Sequence, residues 1–503
     1  MKLMNRSWHG LDWRAYERPL ILAATLAASA LYGIALALDM SPALLLAAPL
    51  VLVAAFVTLY RPDLAAVGMV CISWGLLSDV AVKYHGAPSI LKPLIAVLVV
   101  LLLWRRFTSE RIPFVYDPAI WLSLAFLLCV SLGIWYARDA DRTLNRTIDL
   151  VKDVLLMFVA INLLRTPKVL RLTIYGLLAV GALLGTLSTV QEVTHTYSSN
   201  YGGLAQMRIA FIADGIADRP RASGTSGDPN TYGQPMVVLV PLGLWAMLFN
   251  RTLAGKLTAG YATTAILAGI GLSFSRSMLL ALAVALALYA IYIRLNPRLL
   301  LLAVPLMALL LMFAPPEFTA RLNTFKFLLE GESGIRSDGA LKGRSSEGLM
   351  GIYMFADHPI LGVGAGNSQV YYPQYIRENG SPVEDEERQT HNYYVEIAAE
   401  HGLIGLSLWG GLLVLAWRRQ SRARRLFAAS GDTMMAGLAA ALQCSFAGYL
   451  VSAVFLHGVF PQYMWIQVGL AIAMATVAAR QAAAQPTLAA APQAAVQPAL
   501  ARP

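Results

Sequence analysis

Charge is what this sequence has least of. Only 14% of its 503 residues are Asp, Glu, Lys or Arg, against 57% hydrophobic ones. Soluble domains carry about a quarter charged residues, so a water-facing exterior over most of the chain is excluded. Cysteine is scarce too. Cys71, Cys129 and Cys444 all fall in apolar runs without metal-ligand spacing, so they read as small apolar side chains. Runs of about ten residues with alternating polarity are missing, which excludes a β-barrel. No internal repeat relates the two halves, which counts against an inverted-repeat transporter. A continuous basic face is missing as well: the net charge of +10 is scattered over short loops, so anionic lipid headgroups are its expected neighbours and nucleic acid is not.

What the chain does have is a succession of apolar runs of roughly 17 to 25 residues, each able to cross a hydrocarbon core of about 30 Å as a helix. Spans are expected near residues 19–37, 42–60, 64–82, 90–104, 118–136, 146–164 and 169–191, and again near 230–249, 257–274, 277–293, 299–314, 401–417, 434–456 and 462–479. The expected fold class is an all-α polytopic membrane protein of about fourteen transmembrane helices. The weakest span is 146–164, which carries Asp149, Lys152 and Asp153 and has an interfacial helix as its alternative.

Lys and Arg concentrate in short cytoplasmic loops, and that rule tests the count. With every span kept, one side collects Arg6, Arg14 and Arg18, then Arg105, Arg106 and Arg111, then Arg165, Lys168 and Arg171, then Arg294 and Arg298, and last Arg418, Arg419, Arg422, Arg424 and Arg425. Dropping 146–164 would send the later clusters outside. Both termini are therefore expected in the cytoplasm, and the basic start followed by an apolar run is read as an uncleaved first helix. The resulting organisation is helices over 1–191, an external loop 192–229, helices over 230–314, a large external loop 315–400, helices over 401–479, and a low-complexity tail 480–503.

Loops this long are where function or disorder is found. The second is expected to be partly helical. Ser345–Phe355 has the spacing of an amphipathic helix, His358-Pro359 ends it, and LGVGAGN forms a tight glycine turn. At its end, His391 and Asn392 precede a run entering the next span. A histidine at a membrane interface with a water side is a base near neutral pH; a lone one is more often an interfacial or capping residue. Arg276, in SFSRS between two spans, is costly there unless it is used or snorkels. Arg221 in RPRASGTSGDPN and Arg344 in KGRSSEGLM lie on the same side. External arginines run against the orientation rule, and their planar forks suit phosphate oxygens. The plainer alternative pairs them with Glu384, Asp385, Glu386 and Glu387. That acidic run is read as a solvated face and not as a metal site. LGVGAGN follows a helix, not a strand, so it is not read as a phosphate loop.

These patches together resemble the O-antigen ligase and polymerase superfamily of bacterial envelope glycan assembly. SFSRSMLLAL resembles its Ser-Arg segment opening a span, and GRSSEGLMGIYMFADHPILGVGAGN its Arg, helix, His-Pro, Gly-x-Gly block. HNYYVEIAAEHGLIG is similar to the ligase pattern of His-Asn, nine residues, then Gly-x-x-Gly, with Gly402 and Gly405 in place. RASGTSGDPNTYG resembles a segment of exopolysaccharide polymerases, and residues 220–480 carry the likeness. The resemblance implies a GT-C-like membrane glycosyltransferase of the bacterial inner membrane. Its donor would be a glycan on undecaprenyl diphosphate, and its acceptor a hydroxyl of lipid A core, of a growing glycan or of a protein. His391 would be the catalytic base and Arg276, Arg344 and Arg221 the diphosphate ligands, with Asn392, Gly402 and Gly405 in support. No cofactor or metal is implied. The rival enzyme class, metal-dependent transfer, needs a carboxylate pair in the first external loop, where Asp39 stands alone. A flippase or secondary transporter is the other rival, with Asp79, Lys92, Asp149, Lys152 and Asp153 as its ion path.

Overall fold

The computed structural model describes residues 53–109, 113–212, 216–294, 339–379, 387–458 and 461–484. The expected spans 19–37 and 299–314, most of 42–60, residues 315–338, Glu384 to Glu386 and the tail from 485 lie outside those residues. The chain divides into two compact units, Met1–Ala66 and Val67–Pro503. In the first, Arg61 forks onto Asp63 at 2.9 and 3.1 Å.

Helices dominate the second unit, and short polar residues start them. The chain runs through α1 (Pro62–Trp74), α2 (Leu77–His85), α3 (Leu91–Trp104), α4 (Pro118–Leu132), α5 (Ala140–Leu163) and α6 (Pro167–Thr194). A hairpin of β1 (Gln206–Ile212) and β2 (Ile216–Gly224) precedes α7 (Pro229–Phe249), α8 (Leu253–Leu272) and α9 (Arg276–Tyr292). Then come α10 (Gly339–Asp357), α11 (Ser368–Glu378), α12 (Tyr393–Ala429), α13 (Thr433–Ala453) and α14 (Gln462–Ala484). Asp117, Thr166 and Asp228 cap α4, α6 and α7 with a proline directly behind each, where the missing N–H costs nothing. Asp139, Thr252 and Asp432 cap α5, α8 and α13.

Every expected span within the described residues is a helix. Among the described residues six helices are long and apolar enough to cross a membrane, or seven if α1 and α2 form one broken span, so the protein is a multi-pass membrane protein. Three local differences from the sequence reading have physical causes. The run 64–82 breaks by 60° where Leu76 adopts a φ of 54°. The loop 192–229 contains the antiparallel β1–β2 hairpin, so the all-α expectation is corrected there. Helix α14 continues to Ala484, past the expected start of the tail at 480.

Helix α14 is the inner post of the bundle, with 89% of its apolar window buried against 33% for α4. It packs on α12 and α5, while α13 joins α7 and α9, and α8 lies across α6 and α7. Gly185 of α6 lies against the Ala265 carbonyl of α8, with no room for a side chain; small residues of this kind let helices approach closely in membranes. Helix α5 is not one of the apolar spans. Its 24 residues reach roughly 36 Å at 1.5 Å per residue, and it turns Asp153 and Asn162 inward.

The large loop is a folded cap. Met350 and Met354 of α10, Val363, Tyr372, Tyr375 and Ile376 of α11, and Ala399 of α12 form its own core. Each large side chain buried this way contributes roughly 1.5–3 kcal/mol. The Tyr375 hydroxyl adds a 2.7 Å bond to Asp357 at the end of α10.

Candidate functional site

Three chain segments converge at the start of α12. Residues 358–367 leave α10 and cross α12 at Gly402, where φ 61° and ψ −163° interrupt the helix. The carbonyls freed by the break are used: Ala399 accepts from Val363 and Glu400 from Gly364, both at 2.9 Å, while Leu403 donates to Pro359 at 2.8 Å. Gly362, Gly364 and Gly366 have φ of 70°, 96° and 72°, as the sequence LGVGAGN led one to expect of a tight turn. The Glu400 carboxylate then ties the turn down, accepting from Gly366 N at 2.8 Å and Ser368 Oγ at 2.7 Å. On the other side Asn367 donates to Thr143 at 2.9 Å and accepts from Asp139 N at 2.8 Å, both at the start of α5. Gly405 lies one turn on, against His401 and Cys129.

His391 stands at the head of this frame. Its φ is 45°, a left-handed backbone that costs a non-glycine residue of order 1–3 kcal/mol and is held only by its surroundings. Asn392 behind it caps α12, accepting from Tyr394 N and Val395 N at 3.1 and 3.2 Å, so the expected capping role belongs to the neighbour. The His391 ring is partly open to solvent at 35% side-chain exposure, and its Nε2 lies 3.9 Å from Glu347 Oε2. Glu347, in α10, is buried, and its other oxygen lies 3.7 Å from Arg388. On the other face His457 approaches, ring centroids 5.2 Å apart. Burial, and then the neighbouring His391, push the His457 imidazole down to about 3, against a weaker opposing pull from Asp228. It is therefore neutral at ordinary pH. Its neighbour Gly458 donates to Glu396 at 2.9 Å.

Asp228 links this half to the arginines. It caps α7, accepting from Asn230 N, Thr231 N and the Thr231 hydroxyl at 3.0, 2.9 and 3.1 Å. Burial pushes its carboxyl up, but those bonds, together with Arg208 and Arg221, more than offset that and hold it below the usual carboxylate range. Arg221 is buried, donating from Nε to the Ser273 carbonyl at 2.9 Å and from Nη2 to Asn230 at 3.5 Å. Ser273 opens the SFSRS turn. Ser275 donates to the same Asn230 at 2.6 Å, so its hydroxyl does not cap α9, and Arg276 begins that helix half-buried between Ser275 and Ser277. Arg221 thus fastens the β2 strand to the turn that carries Arg276. Arg344 lies in α10, one turn before Glu347; its side chain is outside the described residues. Of the acidic run, Glu387 pairs with Arg142 at 3.0 Å instead of with any of the three arginines singled out from sequence.

Glu347, His457, Asp228 and Arg146 were missed by sequence reasoning. Glu347 and Asp228 stand inside segments quoted above for their arginines and glycines, and His457 and Arg146 in none of them. Arg146 gives the most accessible signal: it begins the charged stretch that also holds Asp149, Lys152 and Asp153. That stretch borders a cavity of about 210 Å³, lined also by Asp79, Glu396 and Glu400 and by Gly458, the neighbour of His457. Four of the five charged residues proposed as an ion path thus gather there, while Lys92 is not among the lining residues.

In comparison with known families, residues 261–410 fit the family model described as O-antigen ligase. No curated protein matches the chain. The matched stretch runs from α8 to the middle of α12 and includes the Ser-Arg turn, Arg344, Glu347, the glycine turn, His391, Gly402 and Gly405. Arg221, Asp228 and His457 lie outside it. Over residues 261–410, less than half of its length, the chain is similar to the O-antigen ligase family.

Proposed function

We propose that the protein is a metal-independent glycosyltransferase that moves a glycan from undecaprenyl diphosphate to an acceptor hydroxyl, on the periplasmic face of the bacterial inner membrane, and that it acts as an O-antigen ligase. The observation that carries this is the placement of His391, strained, half-open and flanked by Glu347 and His457, within electrostatic reach, through His457 and Asp228, of the Arg221 and Ser-Arg assembly. The acceptor oxygen attacks the anomeric carbon, the bond from that carbon to the diphosphate oxygen breaks, and the acceptor proton passes to His391. The electron pair leaves with the diphosphate, whose growing charge Arg276 and Arg344 stabilise, with Arg221 holding the turn in place. A carboxylate beside His391 favours the imidazolium that forms. The ligase reading over the polymerase reading rests on the His-Asn, nine-residue, Gly-x-x-Gly spacing.

Reconstitution tests it. Purified protein in proteoliposomes, given an undecaprenyl-diphosphate-linked glycan and an acceptor, should join the two. Movement of the intact donor across the bilayer without joining would establish the flippase reading instead, and elongation of the donor by itself would establish a polymerase.

A further inference from the structure

The cavity bordered by Arg146, Asp149, Lys152 and Asp153 is not used by the chemistry above. Its wall is acidic. Asp79, Asp149, Asp153, Glu396 and Glu400 face Arg146 and Lys152 across about 210 Å³, five carboxylates against two cations. Glu400 and Glu396 are committed to the Ser368 and Gly458 backbone regions by the bonds already described. Asp153 is not: it is fully buried, Lys152 Nζ stands 3.5 Å from its Oδ1, and Oδ2 has no hydrogen-bond partner. A buried carboxylate oxygen left without a donor is costly, and such sites take up a donor-bearing ligand. The lining also includes the aromatic side chains of Tyr393, Phe126 and Trp465 and the buried His401.

Position adds to composition. Two of its lining residues neighbour the histidines along the chain: Tyr393 follows His391 by two residues and Gly458 adjoins His457. Outward, Arg146 and Asp149 also border a second, shallower recess of about 440 Å³ with Asp139, Asp141, Arg142 and Asn145. The two recesses share a wall, a small inner chamber and an open groove leading to it.

Resting on the glycosyl-transfer reading, we propose that the inner cavity is the acceptor subsite, and that it takes one terminal sugar ring bearing an ammonium group. The ammonium joins Lys152 against Asp153 and Asp149, which, among the described residues, that lysine alone pairs at 3.5 and 3.9 Å, the ring lies on the aromatic residues of the lining, and the ring hydroxyls reach Arg146. The outer groove carries the rest of the glycan. The acceptor is then a saccharide and not a protein hydroxyl.

The test is binding to the full-length protein in nanodiscs, with D-glucosamine, N-acetyl-D-glucosamine and D-glucose as probes, read by saturation-transfer NMR. Glucosamine should bind saturably and the two uncharged sugars about tenfold more weakly, the loss expected for one charge-assisted contact. Asp153→Asn should abolish the preference for glucosamine. Asp149→Asn, at a half-exposed position that tolerates change, should weaken it and raise the KM for acceptor while leaving that for donor unchanged. Equal binding of all three sugars, no saturable binding of any, or an Asp149→Asn protein that keeps the preference would each overturn the subsite. Glucosamine binding in a protein that joins no glycan would keep the subsite and remove the transferase reading; joining without glucosamine binding does the reverse.

Discussion

Gly362 and Gly402 pass each other backbone to backbone. A Cβ on Gly362 would fall 2.5 Å from the Glu400 carbonyl oxygen, and one on Gly402 would fall 2.6 Å from the Leu361 nitrogen. Gly402 also occupies a region of backbone space open essentially to glycine alone. Gly402→Ala should therefore cost several kcal/mol, from about 1–3 kcal/mol of backbone strain plus the forced separation of the two segments. Gly410, with nothing near its missing side chain, is the control. Thermal unfolding in detergent should show Gly402→Ala strongly destabilised and Gly410→Ala near wild type; equal behaviour of the two would mean that the crossing is not held this tightly.

His391→Ala should slow single-turnover transfer by about a hundredfold or more, a typical general-base contribution, with donor affinity nearly kept. Glu347→Gln should lose less rate and move the rising limb of the pH-rate profile to lower pH, because a carboxylate 3.9 Å away favours the protonated ring and an amide does not. A Glu347→Gln profile that superimposes on wild type would leave Glu347 as packing only.

Arg276→Ala should weaken both donor binding and rate, since a diphosphate ligand acts in the ground state and more strongly as charge develops. Arg276→Lys should recover part of each, as an ammonium keeps the charge and loses the fork. Unchanged donor affinity and rate in the alanine variant would remove Arg276 from the site.

His457 supplies a pH signature. Its pKa falls from 6.5 to about 3 on folding, so below pH 6.5 the unfolded chain binds a proton that the folded protein refuses, and stability declines as pH drops from 6.5 toward 3. His457→Gln should flatten that part of the stability curve. Melting temperatures at steps across this range decide it, and an unaltered slope would count against a buried neutral ring.

On the proposed mechanism, in which arginines supply the positive charge that a divalent ion provides elsewhere, activity should survive EDTA. Turnover lost in chelator and restored by magnesium or manganese would redirect the search to the acidic run ending at Glu387.

Much of this was legible from residue order. Apolar length gave most of the helices. LGVGAGN announced its turn, and His391, Arg276 and Arg221 were singled out as candidates by residue type and by cost. What could not be read is lateral. The pairing of Glu347 with His391 joins α10 to the approach to α12, and nothing in either segment names the other. His457 sits in a short connection whose sequence has no chemical pattern. Asp153 was visible as an anomaly, an acid in an apolar run, but its role depends on which helices surround it. The hairpin was missed because its strands are short and mixed in polarity, so no period-2 signal rises above that of an ordinary loop.

The anchoring of the glycine turn by Asn367 to Asp139 and Thr143 bears on how such a protein can be recombined. The turn belongs to the segment shared with the O-antigen ligase family, and its anchor on α5 does not. A chimera cut at residue 261 would transplant His391 and the glycine turn and leave their fastening behind. Grafts that also carry residues 139–153 move the anchor together with the cavity wall, so exchanging acceptor preference between relatives should follow the ancestry of α5 and not that of the matched domain.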